Sequence, residues 1–147
     1  MKLSGYIYRF GNKIGNSDYI FDTDAIKLLF WKKLAKETRV ICFSDYPKNV
    51  MREIPSISDA LGVCDFVIKE DGIYCTMVTL DTVHGRALNK ISDDILKDTL
   101  RFGFIVVFNP KYSVSNENQN TIYRAFGIPY IVLSGDCYHY PILEIER

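Results

Sequence analysis

Two histidines and four cysteines bound the chemistry open to this chain. His84 lies in Asp81-Thr82-Val83-His84-Gly85-Arg86, beside a helix start, and His139 in Asp136-Cys137-Tyr138-His139-Tyr140-Pro141. Cys137 and His139 could share a cation, but a structural zinc site takes about four protein ligands. No second pair stands at a matching spacing, so no metal is expected. Nucleophilic catalysis needs a base in contact with a serine or cysteine. Nothing in the local sequence singles out any serine or cysteine for that role, and both histidines read as solvated or packed side chains. Cys42, Cys64, Cys75 and Cys137 form no CxxC pair. They read as free, mostly buried thiols of a reducing cytoplasm, with no disulfide between Cys64 and Cys75. Gly72 and Gly103 belong to no phosphate-binding loop. The acidic pairs Glu70-Asp71 and Asp93-Asp94 read as a turn and a helix cap. The sequence therefore assigns no catalytic, cofactor-binding or metal-binding residue.

The elements that would position these groups follow from periodicity. Leu3 to Phe10 alternates Tyr6, Tyr8 and Phe10 with Gly5, Ile7 and Arg9, which predicts a strand with two contacted faces. A turn-rich loop, 11–17, precedes a short strand over Tyr19 to Phe21. Asp22-Thr23-Asp24 supplies a helix cap and early negative charge. The helix is expected over Ala25 to Glu37, with Ile26, Leu29, Phe30 and Leu34 on one apolar side, Lys33 a further candidate for it, and Trp31 off the stripe as a hint of a second contact surface. Arg39 to Phe43 predicts a short buried strand, ended by Ser44-Asp45-Tyr46-Pro47, and Val50 to Ser58 reads as irregular.

Leu61 to Glu70 and Ile73 to Asp81 form a hairpin about Asp71-Gly72, where glycine would supply a positive φ. Ile73, Cys75, Met77, Thr79 and Asp81 share one face. Thr82 to Leu100 reads as helix in one or two pieces, interrupted at Gly85 and Ser92, with Ser92 as a fresh cap. Phe102 to Phe108 is an apolar strand in which Gly103 implies close approach or a bulge. Tyr112 to Asn120 reads as a mobile surface loop, and Thr121 to Ile145 as one or two strands around Tyr130 to Ser134. The sum is one α+β domain over 1–147: a mainly antiparallel sheet or small barrel with two to three helices.

Composition narrows the function classes. With 147 residues and 48% hydrophobic content the chain can bury a core. Its formal net charge is zero, without the basic excess of a nucleic-acid binder. Lys32, Lys33 and Lys36 read as a solvated helix face. No stretch approaches the ~18 apolar residues of a membrane span, and Met1 to Gly5 lacks the apolar run of a signal peptide. Ten Tyr and nine Phe suit a β-rich core or a protein interface.

Several short segments, in order, resemble the phage prohead (capsid-maturation) proteases. They are Gly5-Tyr6-Ile7-Tyr8-Arg9-Phe10 with Gly15-Asn16, and Ala60-Leu61-Gly62-Val63. The hairpin at Glu70-Asp71-Gly72-Ile73-Tyr74 follows, then Thr82-Val83-His84-Gly85, Arg101-Phe102-Gly103-Phe104 and Ile128-Pro129-Tyr130-Ile131-Val132-Leu133. The resemblance implies a serine-protease fold that cleaves scaffold and capsid proteins. The chain departs from it at the catalytic positions. The family's histidine would fall within Phe43-Ser44-Asp45-Tyr46-Pro47, which has none, and its serine at Leu100 or Arg101. The resemblance therefore implies a prohead-protease-like fold without protease chemistry.

The expected function is that of a non-enzymatic viral structural protein. It would be capsid-associated, as an auxiliary, decoration or assembly component, and would act through protein–protein contacts in the virion or host cytoplasm. Its partners would be capsid or other virion proteins, with a homo-oligomer as a natural state, and no nucleic acid, membrane or cofactor. The alternatives are a serine or cysteine hydrolase with a relocated nucleophile, at Ser44, Cys42 or Cys137 with His139, and a small cytoplasmic binding or inhibitor protein of a phage.

Overall fold

Alternating bulk makes Lys2–Arg9 strand β1, and the apolar pair Ile20–Phe21 forms β2. The computed structural model describes residues 1–14, 19–36, 39–44, 60–97, 101–107, 114–116, 121–124, 130–135 and 140–147. Helix α1 (Thr23–Ala35) begins two residues before the expected Ala25, because the Asp22 carboxylate caps it by accepting the Ala25 N–H at 3.0 Å. β3 (Val40–Ser44), β4 (Ala60–Ile68) and β5 (Gly72–Thr79) follow. Helices α2 (Val83–Lys90) and α3 (Ser92–Leu96) come next. The chain closes with β6 (Gly103–Val107), β7 (Val114–Asn116), β8 (Thr121–Arg124), β9 (Tyr130–Ser134) and β10 (Glu144–Glu146).

The class is α+β, with three helices among the described residues and a mostly antiparallel, curled sheet. Seven strands run in the order β10-β1-β5-β4-β3-β9-β6, and a smaller sheet runs β2-β8-β7. Two pairs are parallel, β3 with β9 and β2 with β8. The curl makes a half-barrel whose two sides are bridged by one segment. Phe104 N–H donates to the Tyr140 carbonyl and Ile142 N–H to the Phe102 carbonyl, both at 2.9 Å. One residue later Leu143 N–H reaches the Ser4 carbonyl, and β10 pairs with β1. β1 and the edge strand β6 are thus both bonded to residues of the 140–146 segment, and the three-residue β10 becomes the other edge, which leaves less open backbone for accidental pairing.

Both faces of the sheet carry apolar clusters. The larger includes Leu3, Ile26, Phe30, Phe66, Ile73, Met77, Phe104 and Ile131. The α1 helix closes it, its Phe30 ring meeting Phe66 edge-on at 4.9 Å. Since successive strand residues point to opposite faces, Tyr130 and Val132 join Phe43 and Ala60 in a second cluster while Ile131 and Leu133 face the first. Every residue of β9 is buried, which accounts for its unbroken apolar run.

Several expectations are corrected. Leu34 does not pack inward; it is exposed on α1 while Ile26, Leu29 and Phe30 are buried. The hairpin register pairs Ile68 with Ile73, and Lys69 N–H donates to the Gly72 carbonyl, so Glu70-Asp71 forms the tip. Gly72 is not the positive-φ residue; among the described glycines only Gly11 is, at 83°. Gly72 is needed for closeness instead, because a Cβ there would lie 2.3 Å from the Tyr8 carbonyl oxygen. Gly85 sits inside α2 rather than interrupting it. Ser92 does not cap α3; its hydroxyl donates to the Asn89 carbonyl at 2.8 Å. Part of the expected loop at Tyr112 to Asn120 is strand β7, and the described residues of the last third hold three strands where one or two were expected. The expectations for 11–17 beyond Ile14, for Val50 to Ser58 and for Cys137 and His139 fall outside the described residues. No helix among the described residues is long and apolar enough to cross a membrane.

Candidate functional site

One histidine meets one serine. Ser44 is the last residue of β3, exposed, and paired with Leu133 at the carboxyl end of the parallel β3–β9 pair. His84 is the second residue of α2, whose start is pinned by Thr82. The Thr82 hydroxyl accepts the Gly85 N–H at 3.0 Å and donates to the Ala60 carbonyl. Ala60 pairs with Phe43, one residue before Ser44. This chain of bonds sets the head of α2 over the end of β3, and Ser44 Oγ lies 3.2 Å from His84 Nδ1.

A Ser–His contact can do two things. With Nδ1 unprotonated, the imidazole accepts the serine proton and raises the nucleophilicity of Oγ. With Nδ1 protonated, it merely donates to a hydroxyl. A working triad adds a third group that fixes the tautomer and orients the ring. Among the described residues no carboxylate bonds to His84. Asp81, the acid nearest in sequence, is held by Arg86 at 2.8 Å. Ser44 stands at an exposed position, where water competes for every bond it makes. The pair has the contact of a nucleophile and base without their usual support.

The remaining sequence candidates have structural explanations. Cys42, Cys64 and Cys75 are free thiols in the core, each fully buried. Burial pushes Cys42 and Cys75 well above the ordinary thiol value, whereas hydrogen bonds from those two pull Cys64 down against the cost of burial. Cys64 lies opposite Met77 and Phe66 opposite Cys75, so the two cysteines are diagonal neighbours. Diagonal positions hold Cα atoms about 7–8 Å apart, beyond comfortable disulfide reach. Cys42 is thereby removed as a relocated nucleophile, because no substrate reaches it. Asp71, at the hairpin tip, accepts from Tyr6 Oη at 2.8 Å and Arg9 at 3.0 Å. The Tyr6 bond, with the nearby cations Arg9 and Lys69, holds its carboxyl below the usual range. Asp93 is bound by Arg147. Neither acidic pair is arranged as an acid–base dyad.

A third feature is a surface rather than a cluster. On α1, Leu28, Trp31 and Leu34 are 50%, 54% and 42% exposed. Spaced three residues apart, they lie along the side of the helix turned from the core. Lys27, Lys32 and Lys36 accompany them, while Lys33 is half-buried on the inner side.

Comparison with protein-family models, with curated proteins and with solved structures found no match to this chain. In sequence Ser44 falls in the stretch where the protease resemblance would put a histidine, and His84 stands apart from it. Their contact spans 40 positions and had no local signal. The α1 surface had one, in Trp31 standing off the buried stripe.

Proposed function

We propose that this chain is a non-enzymatic viral structural protein, capsid-associated, that works through protein–protein contacts. The exposed Leu28-Trp31-Leu34 stripe carries the reading. Exposed apolar residues are ordinary singly, but grouped and centred on a tryptophan they mark contact sites. The viral setting is supported by the sequence resemblance to prohead proteases, and the non-enzymatic character by the absence of that family's histidine and serine at the matching positions. Partners would be capsid or other virion proteins, and copies of the chain would occupy repeated sites. The test is quantitative mass spectrometry of purified particles, which should recover the chain at a fixed ratio to capsid protein. Purified particles that lack the chain would remove the proposal.

The Ser44–His84 contact favours a second reading, a serine hydrolase with a relocated nucleophile. It predicts that a fluorophosphonate adds covalently to Ser44 and that His84→Ala abolishes the adduct. The contact-protein reading predicts an unmodified intact mass.

A further inference from the structure

We infer that the outer face of α1 docks an acidic amphipathic helix of a protein partner; this rests on the contact-protein reading and adds the chemistry of the partner. The face has two components. Leu28, Trp31 and Leu34 recur every three residues, spanning about 9 Å of helix axis. That is the spacing at which one helix presents anchors to another. The second component is charge. From its N-cap Asp22 to its C-cap Lys36 the helix holds four lysines and two carboxylates, Asp22, which accepts the Ala25 N–H, and Asp24, in a chain whose formal net charge is zero. With Lys33 half-buried on the inner side, Lys27, Lys32 and Lys36 give the outer side a modest positive excess over Asp24.

The lysines also crowd one another. Lys32 and Lys36 are four residues apart, and Lys33 and Lys36 three, both repulsive spacings on a helix. Burial depresses the Lys33 pKa, and the Lys36 charge lowers it further. Lys27 Nζ sits 5.2 Å from the Phe10 ring centre, at the border of the same surface. A helix C-terminus welcomes cations, which explains basic residues in the last turn but not the tryptophan and leucines among them. An apolar seam bordered by Asp or Glu would cover the stripe and offset Lys27, Lys32 and Lys36 together.

An anionic membrane is the other surface with that chemistry, and the geometry disfavours it. An interfacial helix sinks its apolar face about 5–10 Å into the lipid boundary. Here the opposite side of α1 is fixed to the core by Ile26, Leu29 and Phe30, and only three side chains are left to insert.

Trp31 is the chain's single tryptophan, so its fluorescence reports on this face alone. The full chain would be titrated with a 15-residue helical peptide bearing a leucine seam and glutamate flanks. A lysine-flanked counterpart and phosphatidylglycerol vesicles would be run beside it. The acidic peptide should shift Trp31 emission to the blue, saturably and less at high salt. The double variant Lys32→Glu/Lys36→Glu, altering only exposed side chains, should weaken it at least tenfold while circular dichroism stays unchanged. An equal response to the lysine-flanked peptide, a response to vesicles alone, or no shift with the acidic peptide would overturn the inference. If the chain is nonetheless recovered in particles and lost from them on Trp31→Glu, only the partner chemistry has failed and the contact reading stands.

Discussion

Replacing Gly85 by alanine should destabilise this protein, against the usual preference of helices. In an exposed helix interior, alanine is better than glycine by about 1 kcal/mol. At Gly85 a Cβ would stand 2.0 Å from the Leu80 carbonyl oxygen and 3.1 Å from that of Leu61. Ordinary contact begins at 3.4 Å, so α2 or the β5 exit must yield by about 1.4 Å in an interior with little slack. Moving the helix head stretches the Gly85 N–H bond to Thr82 and the Thr82 bond to Ala60. Moving Leu80 instead strains its 2.9 Å bond to the Leu61 carbonyl. Overpacking costs about 1–3 kcal/mol and a lost N-cap about 1 kcal/mol. After the propensity gain the net loss is about 1–3 kcal/mol. Urea titration followed by circular dichroism measures it, with Ala87→Gly, exposed in the same helix, as the control expected to cost about 1 kcal/mol. A Gly85→Ala variant as stable as the parent, or more so, would refute the idea that this glycine exists to let α2 seat closely.

Two further outcomes follow from buried groups. Tyr8 Oη donates to the Asn12 carbonyl at 2.6 Å and accepts the Phe21 N–H at 3.1 Å, and burial raises its pKa above the ordinary value. A folded pKa above the unfolded one gives stability that is complete below about pH 10 and lost as pH rises through the folded value. Tyr8→Phe should cost about 1–2 kcal/mol at neutral pH and flatten the alkaline fall in urea midpoint; an unchanged midpoint at pH 8 would contradict the bond's role. In a Cys137→Ser background, the three core thiols should react with a thiol reagent only as fast as the protein opens, and rapid labelling in the native state would contradict their burial.

Much of the fold was legible where one local rule acted alone. Asp22 announced α1, the alternation of Ile73, Cys75 and Met77 put them on one face of β5, and Thr82 to Leu100 read as helix in one or two pieces, of which α2 and α3 are the two. Errors arose where tertiary closeness outweighed local preference. Gly72 reads as a turn glycine, yet the Tyr8 backbone lies against it, and the hairpin tip falls one residue earlier. Gly85 reads as a helix breaker, yet Leu80 requires it. Leu34 completes an apolar stripe on paper, but Lys33 takes the half-buried position and Leu34 faces outward. The parallel pairing of β3 with β9 joins residues about 90 positions apart, beyond any local pattern. The Ser44–His84 contact depends on that arrangement and was equally invisible. The α1 surface was visible, because an exposed tryptophan off a core stripe is a property of one helix.

The central claim is that this chain acts by contact through α1. Its most direct measurement is the copy number of wild type and Trp31→Glu in purified particles, with circular dichroism confirming that both are folded. The account predicts that wild type is incorporated at a fixed ratio and the folded variant at least tenfold less. Equal incorporation of the two would contradict it.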